Sequence, residues 1–408
     1  MKINTFCTLL LSSLCFTATA QLNQLYDNTT YKAIYFSEAC KLINTTPGLL
    51  ILDVRSPGEY ADTSKSITLN IGHLKGSRNM SIDSVEKHLK DLEPYKDKPI
   101  LVYCSHSQRS RVVSKALGGL GFKHVYSLNG GMSLVNKSTD EEFPLKQKLY
   151  TSNLPYQLIE SADAYKFIQN KNNLVIDVRP ASQFNGTDTT EANNIGRIRN
   201  AVNVPLAGID QELAKPGNKT RPILFCAIGG SDAIQAAVKY TKAGYKNVYV
   251  LFEGLATFIP HTPVVNQKLY FTNQPKYKVL GAKETIALVK HNTALVIADM
   301  RTKAEFENKD ALVYHNLGHI TGAVNYTLSA LETYLKDKPK TTPVLVYGSN
   351  MQGQTMLSAN EVSKRLAAKG YSNVHLYYNG MYDLMWAVTN VEDCKDGWPV
   401  LADHKGLY

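Results

Sequence analysis

The feature that most limits what this chain can fold into is an internal repeat. A short apolar run ends in Asp, one further residue and Arg at three places, and these runs occupy residues 50–55, 175–179 and 296–301. A continuous apolar run with a charged pair at its end is typical of a buried strand in a parallel sheet. We therefore expect three copies of one domain along the 408 residues, each of a length that suits a single hydrophobic core.

A second pattern follows each of these strands. It begins with glycine, ends with asparagine and occupies residues 72–79, 196–203 and 318–325. The pattern predicts a turn followed by a short strand. His73 in the first copy is expected to be a structural hydrogen-bonding residue and not a catalyst, because the second copy has Arg197 at the same place.

The third pattern is an apolar strand that leads into a short polar loop and then a helix. Cys104, Cys226 and Gly348 follow the apolar runs of the three copies at equal intervals. Strands that alternate with helices predict an α/β fold, in which a small parallel sheet is covered by helices on both faces. Such folds bind ligands at the carboxyl ends of their strands, and a thiol at that place is suited to sulfur chemistry.

The first 20 residues have the composition of a secretory signal peptide. Lys2 supplies a positive charge, residues 6–16 are mostly apolar, and residues 18–20 form a small-residue cleavage site. The apolar stretch is too short to span a bilayer. We expect an exported protein without membrane attachment after signal cleavage, periplasmic in a Gram-negative bacterium and otherwise secreted.

Charge and cysteine content exclude several function classes. The formal net charge is +10 at pH 7, which favours small anionic substrates, but no basic stretch is interleaved with aromatic residues, so nucleic acid is not an expected partner. Four cysteines remain after the signal, and their spacing matches neither a disulfide framework nor a set of metal ligands. No metal and no cofactor are therefore predicted. Of the two cysteines outside the loops, Cys40 is interpreted as a packing residue, whereas Cys394 either pairs or stays free.

The two cysteine loops are the candidate catalytic sites. If each loop curls around its cysteine, backbone N–H groups and the positive end of the following helix dipole would stabilise a thiolate and also a persulfide. Such a thiolate would take the outer sulfur of thiosulfate and pass it to a thiol or to cyanide. The residues assigned to this amide cradle, and so to substrate binding, are Ser105, His106, Ser107, Gln108 and Arg109 in the first copy and Ala227, Ile228, Gly229, Gly230 and Ser231 in the second.

Taken together, the Asp-Val-Arg strand end, the Gly-His-Ile-x-Gly-Ala-x-Asn turn and the strand-Cys-loop-helix unit resemble the rhodanese family of sulfurtransferases. The resemblance implies three tandem rhodanese-like domains, each a five-stranded parallel α/β domain, and a cysteine persulfide intermediate on Cys104 and Cys226. The family often has glycine at the fourth loop position, where the second copy has Gly229 and the first has Ser107. Arg109 matches an arginine that many single-domain members have at the end of the loop, where its charge would hold a sulfonate or persulfide.

The domain boundaries follow from similar linkers near residues 147 and 267. We expect the first domain at residues 21–147, the second at 148–267 and the third, with a C-terminal tail, at 268–408. Because Gly348 has no thiol, the third domain is expected to be degenerate, with a role in packing, modulation or contact with a protein partner.

Several alternatives remain open at this stage. Related phosphatases place Arg six residues after the cysteine, whereas Arg109 is five residues after Cys104 and the sixth residue after Cys226 is Asp232, so sulfur transfer is favoured over phosphate ester hydrolysis. Between the two thiols, Cys104 ranks first because of the charge of Arg109. The competing functions are a noncatalytic binding or scaffold protein and a redox protein that handles disulfides.

Overall fold

The computed structural model describes residues 27, 28, 30–139, 145–349 and 354–404. Within these residues the chain forms three α/β domains, each built on a parallel sheet, and this confirms the predicted fold class. The predicted signal peptide lies outside the described residues. None of the helices described is both long and apolar enough to cross a bilayer.

The first domain contains a six-stranded sheet, in which a short antiparallel strand is added at the edge of five parallel ones. Its strands are Asp27–Asn28, Tyr31–Ile34, Leu50–Asp53, His73–Leu74, Arg78–Asn79, Pro99–Tyr103 and His124–Leu128. Its α-helices are Phe36–Thr45, Pro57–Tyr60, Ile82–Val85, Gln108–Gly119, Gly131–Lys137 and Lys146–Leu149. Its 3-10 helices are Ile67–Leu69, Glu86–Asp91 and Glu93–Tyr95.

The second domain repeats this order of elements around a five-stranded sheet. Its strands are Tyr150–Thr151, Gln157–Ile159, Leu174–Asp177, Arg197–Ile198, Val202–Asn203, Ile223–Cys226 and Val248–Leu251. Its α-helices are Ser161–Gln169, Ala181–Asn185, Ile209–Leu213, Gly230–Lys242, Leu255–His261 and Val264–Tyr270, and its 3-10 helices are Glu191–Asn193 and Leu206–Gly208.

The third domain has the same sheet order as the second. Its strands are Phe271–Thr272, Lys278–Leu280, Val296–Asp299, His319–Ile320, Val324–Asn325, Val344–Tyr347, Val374–Tyr377 and Leu401–Ala402. Its α-helices are Ala282–His291, Lys303–Phe306, Leu328–Leu335, Gln354–Ala368 and Gly380–Asn390, and its 3-10 helices are Val313–His315 and Glu392–Val400.

The short strands that follow the first two domains pair back onto the domain that they leave. Tyr150–Thr151 pairs antiparallel with His73–Leu74, and Phe271–Thr272 pairs in the same way with Arg197–Ile198. Each linker thus begins as part of the preceding domain. The two linkers have similar sequences because both form this antiparallel strand pair.

The Asp-x-Arg pattern has a structural role in every domain. In the first, the Asp53 carboxylate accepts hydrogen bonds from the Arg55 guanidinium, at 2.7 Å from Nη2, and both side chains are fully buried. Arg55 Nη2 also donates to the carbonyl oxygen of Gly72 at 2.7 Å, and Asn79 donates to the carbonyl oxygens of Asp53 and Arg55. The first two sequence patterns are therefore two halves of one hydrogen-bonded network that fixes the loops at the carboxyl edge of the sheet.

His73 packs its ring against a neighbouring aromatic side chain. Its ring centroid lies 4.1 Å from that of Tyr60. The third domain repeats the contact with His319 on Phe306 at 4.4 Å. In the second domain the guanidinium of Arg197 takes the place of the imidazole over an aromatic ring, which explains why Arg and His alternate at this position.

The three domains contact one another pairwise. One hydrogen bond at each of the three contacts runs from Ser133 to Glu253, from Tyr378 to the carbonyl oxygen of Ala192, and from Ser37 to Glu392, each at 2.8 Å. The last of these contacts brings the third domain back onto the first, so the loop of the first domain lies close to residues from the far end of the chain.

Candidate active site

The registers of the three sheets show which loop residues correspond. In each sheet the Asp of the Asp-x-Arg pattern pairs with the last residue of the strand that precedes the loop, and these last residues are Tyr103, Cys226 and Tyr347. Cys226 is therefore part of its strand and corresponds to two buried tyrosines. Cys104, in contrast, is the first residue beyond its strand.

A backbone hydrogen bond that recurs in all three domains identifies the residues that correspond to Cys104. The carbonyl oxygen of the first loop residue accepts a hydrogen bond from the N–H of the helix that follows the glycine turn. The accepting carbonyls belong to Cys104, Ala227 and Gly348, at 2.9, 2.8 and 2.9 Å. Alanine thus stands at the nucleophile position of the second domain, and the equal intervals in the sequence do not mark equal positions in the fold.

The match of Cys226 with the family's nucleophile position is corrected by this register. Its side chain points into the core, is fully buried, and its Sγ donates to the carbonyl oxygen of Ile176 at 3.7 Å. Burial, and then the negative charge of Asp177, raise the pKa of the Cys226 thiol well above its usual value. The cradle residues assigned to the second domain belong to a loop that starts with Ala227 and has no thiol.

We predict that Cys226 does not react with iodoacetamide in the native protein, because alkylation requires a thiolate and burial raises the pKa of this thiol well above its usual value. The measurement is peptide mass spectrometry after labelling at neutral pH, in buffer and in urea. Labelling of Cys226 is expected only in urea. Equal labelling of Cys226 in both conditions would contradict the burial described here.

The Cys104 side chain belongs to a hydrophobic cluster of the first domain, but its sulfur reaches one polar group. Its side chain is 1% exposed, and its Sγ donates to the hydroxyl of Ser110 at 3.7 Å. Three residues separate it from the helix Gln108–Gly119. The amino-terminal end of that helix carries the positive end of its dipole, which favours a thiolate or persulfide in the adjoining loop.

Arg109 adds a positive charge that is held in place by a buried carboxylate. Its Nη1 and Nη2 donate to the two oxygens of Glu59 at 2.7 and 2.6 Å, and Nη2 also donates to Ser105 Oγ at 3.0 Å. The hydrogen bond and charge of Glu59 raise the pKa of Arg109, and Cys104 contributes to the same effect. The guanidinium is therefore fixed at the loop that begins with the thiol. This position agrees with the predicted role of Arg109 in holding an anionic sulfur group, and that role stays a prediction.

Burial by itself would raise the pKa of Glu59, but hydrogen bonds from Arg109 and Ser56 lower it to about 2, from an ordinary value of 4.5. Because the folded-state pKa is lower than the unfolded one, the stabilisation is complete above about pH 4.5 and is lost as the pH falls towards about 2. Since one pKa unit corresponds to about 1.4 kcal/mol, Glu59 contributes on the order of 3 kcal/mol at neutral pH.

We therefore predict that Glu59→Gln lowers the free energy of unfolding at pH 7. The difference in the free energy of unfolding between the variant and the native protein is expected to narrow between about pH 5 and pH 2. Urea unfolding across this pH range measures the gap. Glu93→Gln, which removes a carboxylate on the surface, is the control and is expected to leave no comparable pH-dependent gap. A gap that stays constant for Glu59→Gln would contradict the described pairing.

The other two loops lack both the thiol and the arginine. In the second domain the residue five positions after Ala227 is Asp232, an exposed acid. In the third domain Gly348 replaces the cysteine, and Ser349 donates to Glu305 at 2.5 Å. Residues 350–353 lie outside the described part of the chain. Only the first domain thus combines a thiol with a fixed cation.

The remaining cysteines are buried in hydrophobic cores. The four described cysteines are all free, and burial raises the pKa of Cys40 to about 11 and that of Cys394 to about 12. The interpretation of Cys40 as a packing residue agrees with its place in the core of the first domain. The question left open for Cys394 is answered by a free thiol in the core of the third domain.

At the first loop the structure adds two residues, Glu59 and Asn390, to the cradle residues that the sequence assigned. His106 and Gln108 are exposed, whereas Ser107 is buried because its hydroxyl donates to Asn390 of the third domain at 2.7 Å. Glu59 had a recognisable signal, since a Glu or Gln recurs after each Asp-x-Arg. Asn390 had none, because nearly 300 residues separate it from the loop.

The comparisons with known proteins agree with this fold. The family model described as Rhodanese-like domain matches residues 37–138, 160–259 and 282–385, which together cover more than half of the chain. The protein therefore belongs to the family of proteins built from rhodanese-like domains.

Individual relatives match one domain at a time. Thiosulfate sulfurtransferase GlpE of Ectopseudomonas mendocina is 32% identical over 87 residues, which are 21% of this chain and 70% of that protein. GlpE of Coxiella burnetii is 33% identical over 101 residues, which are 25% of this chain and 83% of that protein. A solved rhodanese-related protein from Thermoplasma volcanium is 28% identical and covers 25% of this chain and 87% of its own, with a TM-score of 0.21. The family model and the two GlpE relatives support a sulfurtransferase-family assignment.

Proposed function

We propose that this protein is a sulfurtransferase with a single active thiol, Cys104, which carries sulfane sulfur as a persulfide. The observation that supports this most directly is the combination of a loop thiol, a helix amino terminus and the fixed Arg109 in the first domain alone. The GlpE relatives, whose name is thiosulfate sulfurtransferase, support thiosulfate as a donor.

The proposed reaction has two steps. The Cys104 thiolate attacks the outer sulfur of thiosulfate, a new S–S bond forms, and the S–S bond of thiosulfate breaks so that sulfite leaves with the electron pair. A thiolate or cyanide then attacks the outer sulfur of the persulfide, and the Cys104 thiolate leaves. Both steps displace one thiolate or sulfite by another nucleophile, so neither requires an external oxidant or reductant.

The charges around the loop favour both anionic forms of the cysteine. Arg109 stands beside the thiol, and its pairing with Glu59 keeps it oriented towards the loop residue Ser105. The free N–H groups of the guanidinium are suited to the sulfonate oxygens of thiosulfate. We further propose that the protein works after export, as the signal-like first 20 residues suggest.

The test is a thiosulfate and cyanide assay on the purified mature chain. Release of sulfite and formation of thiocyanate in a double-displacement pattern are expected. Absence of both products, with a folded protein and a range of thiol acceptors in place of cyanide, would overturn the proposal.

A binding role remains the second candidate for part of the chain. Two of the three domains lack a thiol at the loop position, which favours noncatalytic duties for them. The described cysteines are free, and a redox role stays a hypothesis from the sequence.

A further inference from the structure

The longest turn-following helix of the protein joins the third domain to the loop of the first. This helix is seven residues long in the first and second domains, at Gly131–Lys137 and Leu255–His261, but eleven in the third, at Gly380–Asn390. The extension ends with Asn390, which is fully buried. Extra helix length thus brings a polar side chain of the third domain to the loop that begins with Cys104.

Asn390 is bound to the loop at several points. Its Oδ1 accepts hydrogen bonds from Ser107 Oγ at 2.7 Å, from Arg111 Nη2 at 3.3 Å and from the N–H of Gly130 at 3.2 Å. One turn earlier, Trp386 Nε1 donates to the carbonyl oxygen of His106 at 3.3 Å. Two consecutive loop residues are therefore held by the third domain.

Ser107 is the loop residue that most needs such support. Its φ angle is +87°, in the region that favours glycine and that other residues adopt only when their surroundings hold them there. The hydroxyl of Ser107, which glycine would lack, is the group that donates to Asn390. Asn390 of the third domain thus hydrogen-bonds a serine whose backbone conformation would suit glycine.

The support continues from Ser107 to the sulfur. The carbonyl oxygen of Ser107 accepts a hydrogen bond from Ser110 Oγ at 2.9 Å, and Ser110 Oγ in turn accepts from Cys104 Sγ at 3.7 Å. A shift of Ser107 would therefore move the polar group next to the thiol.

We propose that Asn390 is a positioning residue for the Cys104 loop, so that the third domain, which has glycine at its own loop position, is required for sulfur transfer by the first. This inference rests on the proposed function and assigns a task to the degenerate domain. Asn390 does not touch the reacting sulfur and acts through Ser107 and Ser110.

The test replaces Asn390 with leucine, which has a similar shape but cannot accept a hydrogen bond. We expect Asn390→Leu to lower kcat/KM with thiosulfate at least tenfold, mainly through kcat, and to move the midpoint of Cys104 alkylation to higher pH by about one unit.

Thr389→Val is the matched control. It removes a buried hydroxyl from the same helix, where that hydroxyl donates to the carbonyl oxygen of Met385, and is expected to leave the alkylation midpoint and kcat unchanged. A loss of the same size in Thr389→Val and Asn390→Leu would show a general packing effect and would overturn the inference.

If Asn390→Leu does not fold, Ser107→Ala carries the test, because it removes the same hydrogen bond from the loop side. A native alkylation profile in the folded variant would overturn the inference. The alkylation profile can be measured without enzymatic activity, so it separates the two proposals. An inactive native protein contradicts the proposed function. An active native protein, together with a native activity and alkylation profile in Asn390→Leu, contradicts only the positioning role.

Discussion

Replacing Cys104 with serine is expected to lower the rate of thiocyanate formation from thiosulfate and cyanide by more than about 1,000-fold. The expectation follows from the position of the thiol, which is the only one at the start of a loop among the three domains. Serine keeps the size of the side chain but forms no persulfide. The rate is measured with saturating thiosulfate, and circular dichroism confirms that the variant is folded.

Cys226→Ala is the control for this experiment. Its thiol lies in the strand Ile223–Cys226 and points into the core, so its loss is expected to change the rate by no more than a few-fold. Substantial activity in Cys104→Ser that disappears in the double variant would assign the chemistry to Cys226 and contradict the register-based assignment.

The largest effect on stability is expected from Asp53→Ala. This substitution leaves the Arg55 guanidinium without its carboxylate, although both side chains are fully buried. Removing one partner of a buried ion pair costs about 3–5 kcal/mol, because the remaining charge stays desolvated. The unfolding transition of the first domain in urea is expected to shift to a lower concentration by a corresponding amount.

Asp97→Asn is the comparison, because Asp97 forms an ion pair with Lys123 on the surface, where both side chains are mostly exposed. Its urea transition is expected to coincide with that of the native protein, since exposed pairs contribute little. Equal transitions for Asp53→Ala and the native protein would show that the Asp-x-Arg network does not hold the loops.

The fold was predictable because the repeated patterns are local. The Asp-x-Arg strand ends and the glycine-to-asparagine turns recur with nearly constant spacing, and the structure shows that each pair forms one hydrogen-bonded unit. The parallel order of strands then follows from their alternation with helices. Three such copies leave little freedom for any other architecture.

The error at Cys226 has a specific physical cause. A cysteine is small and apolar enough to be the last residue of a buried strand, so the strand end and the loop start differ by one residue without a visible change in pattern. The signal that separates them is the distance to the glycine turn. Gly131 follows Cys104 by the same interval by which Gly254 follows Ala227.

The surroundings of the thiol depend on contacts between distant segments. Arg109 has its partner 50 residues earlier in the chain and Ser107 has its partner 283 residues later. Periodicity and local motifs carry no information on such pairs. The roles of Trp386 and Asn390 therefore became apparent only from the packing of the third domain on the first.

The central claim, that Cys104 alone carries transferable sulfur, is tested most directly by the mass of the protein after exposure to thiosulfate. Digestion without reductant is expected to show one added sulfur atom on the peptide that contains Cys104, and its removal by cyanide. An added sulfur on the Cys226 peptide, or an unchanged Cys104 peptide in a protein that releases sulfite, would contradict the account.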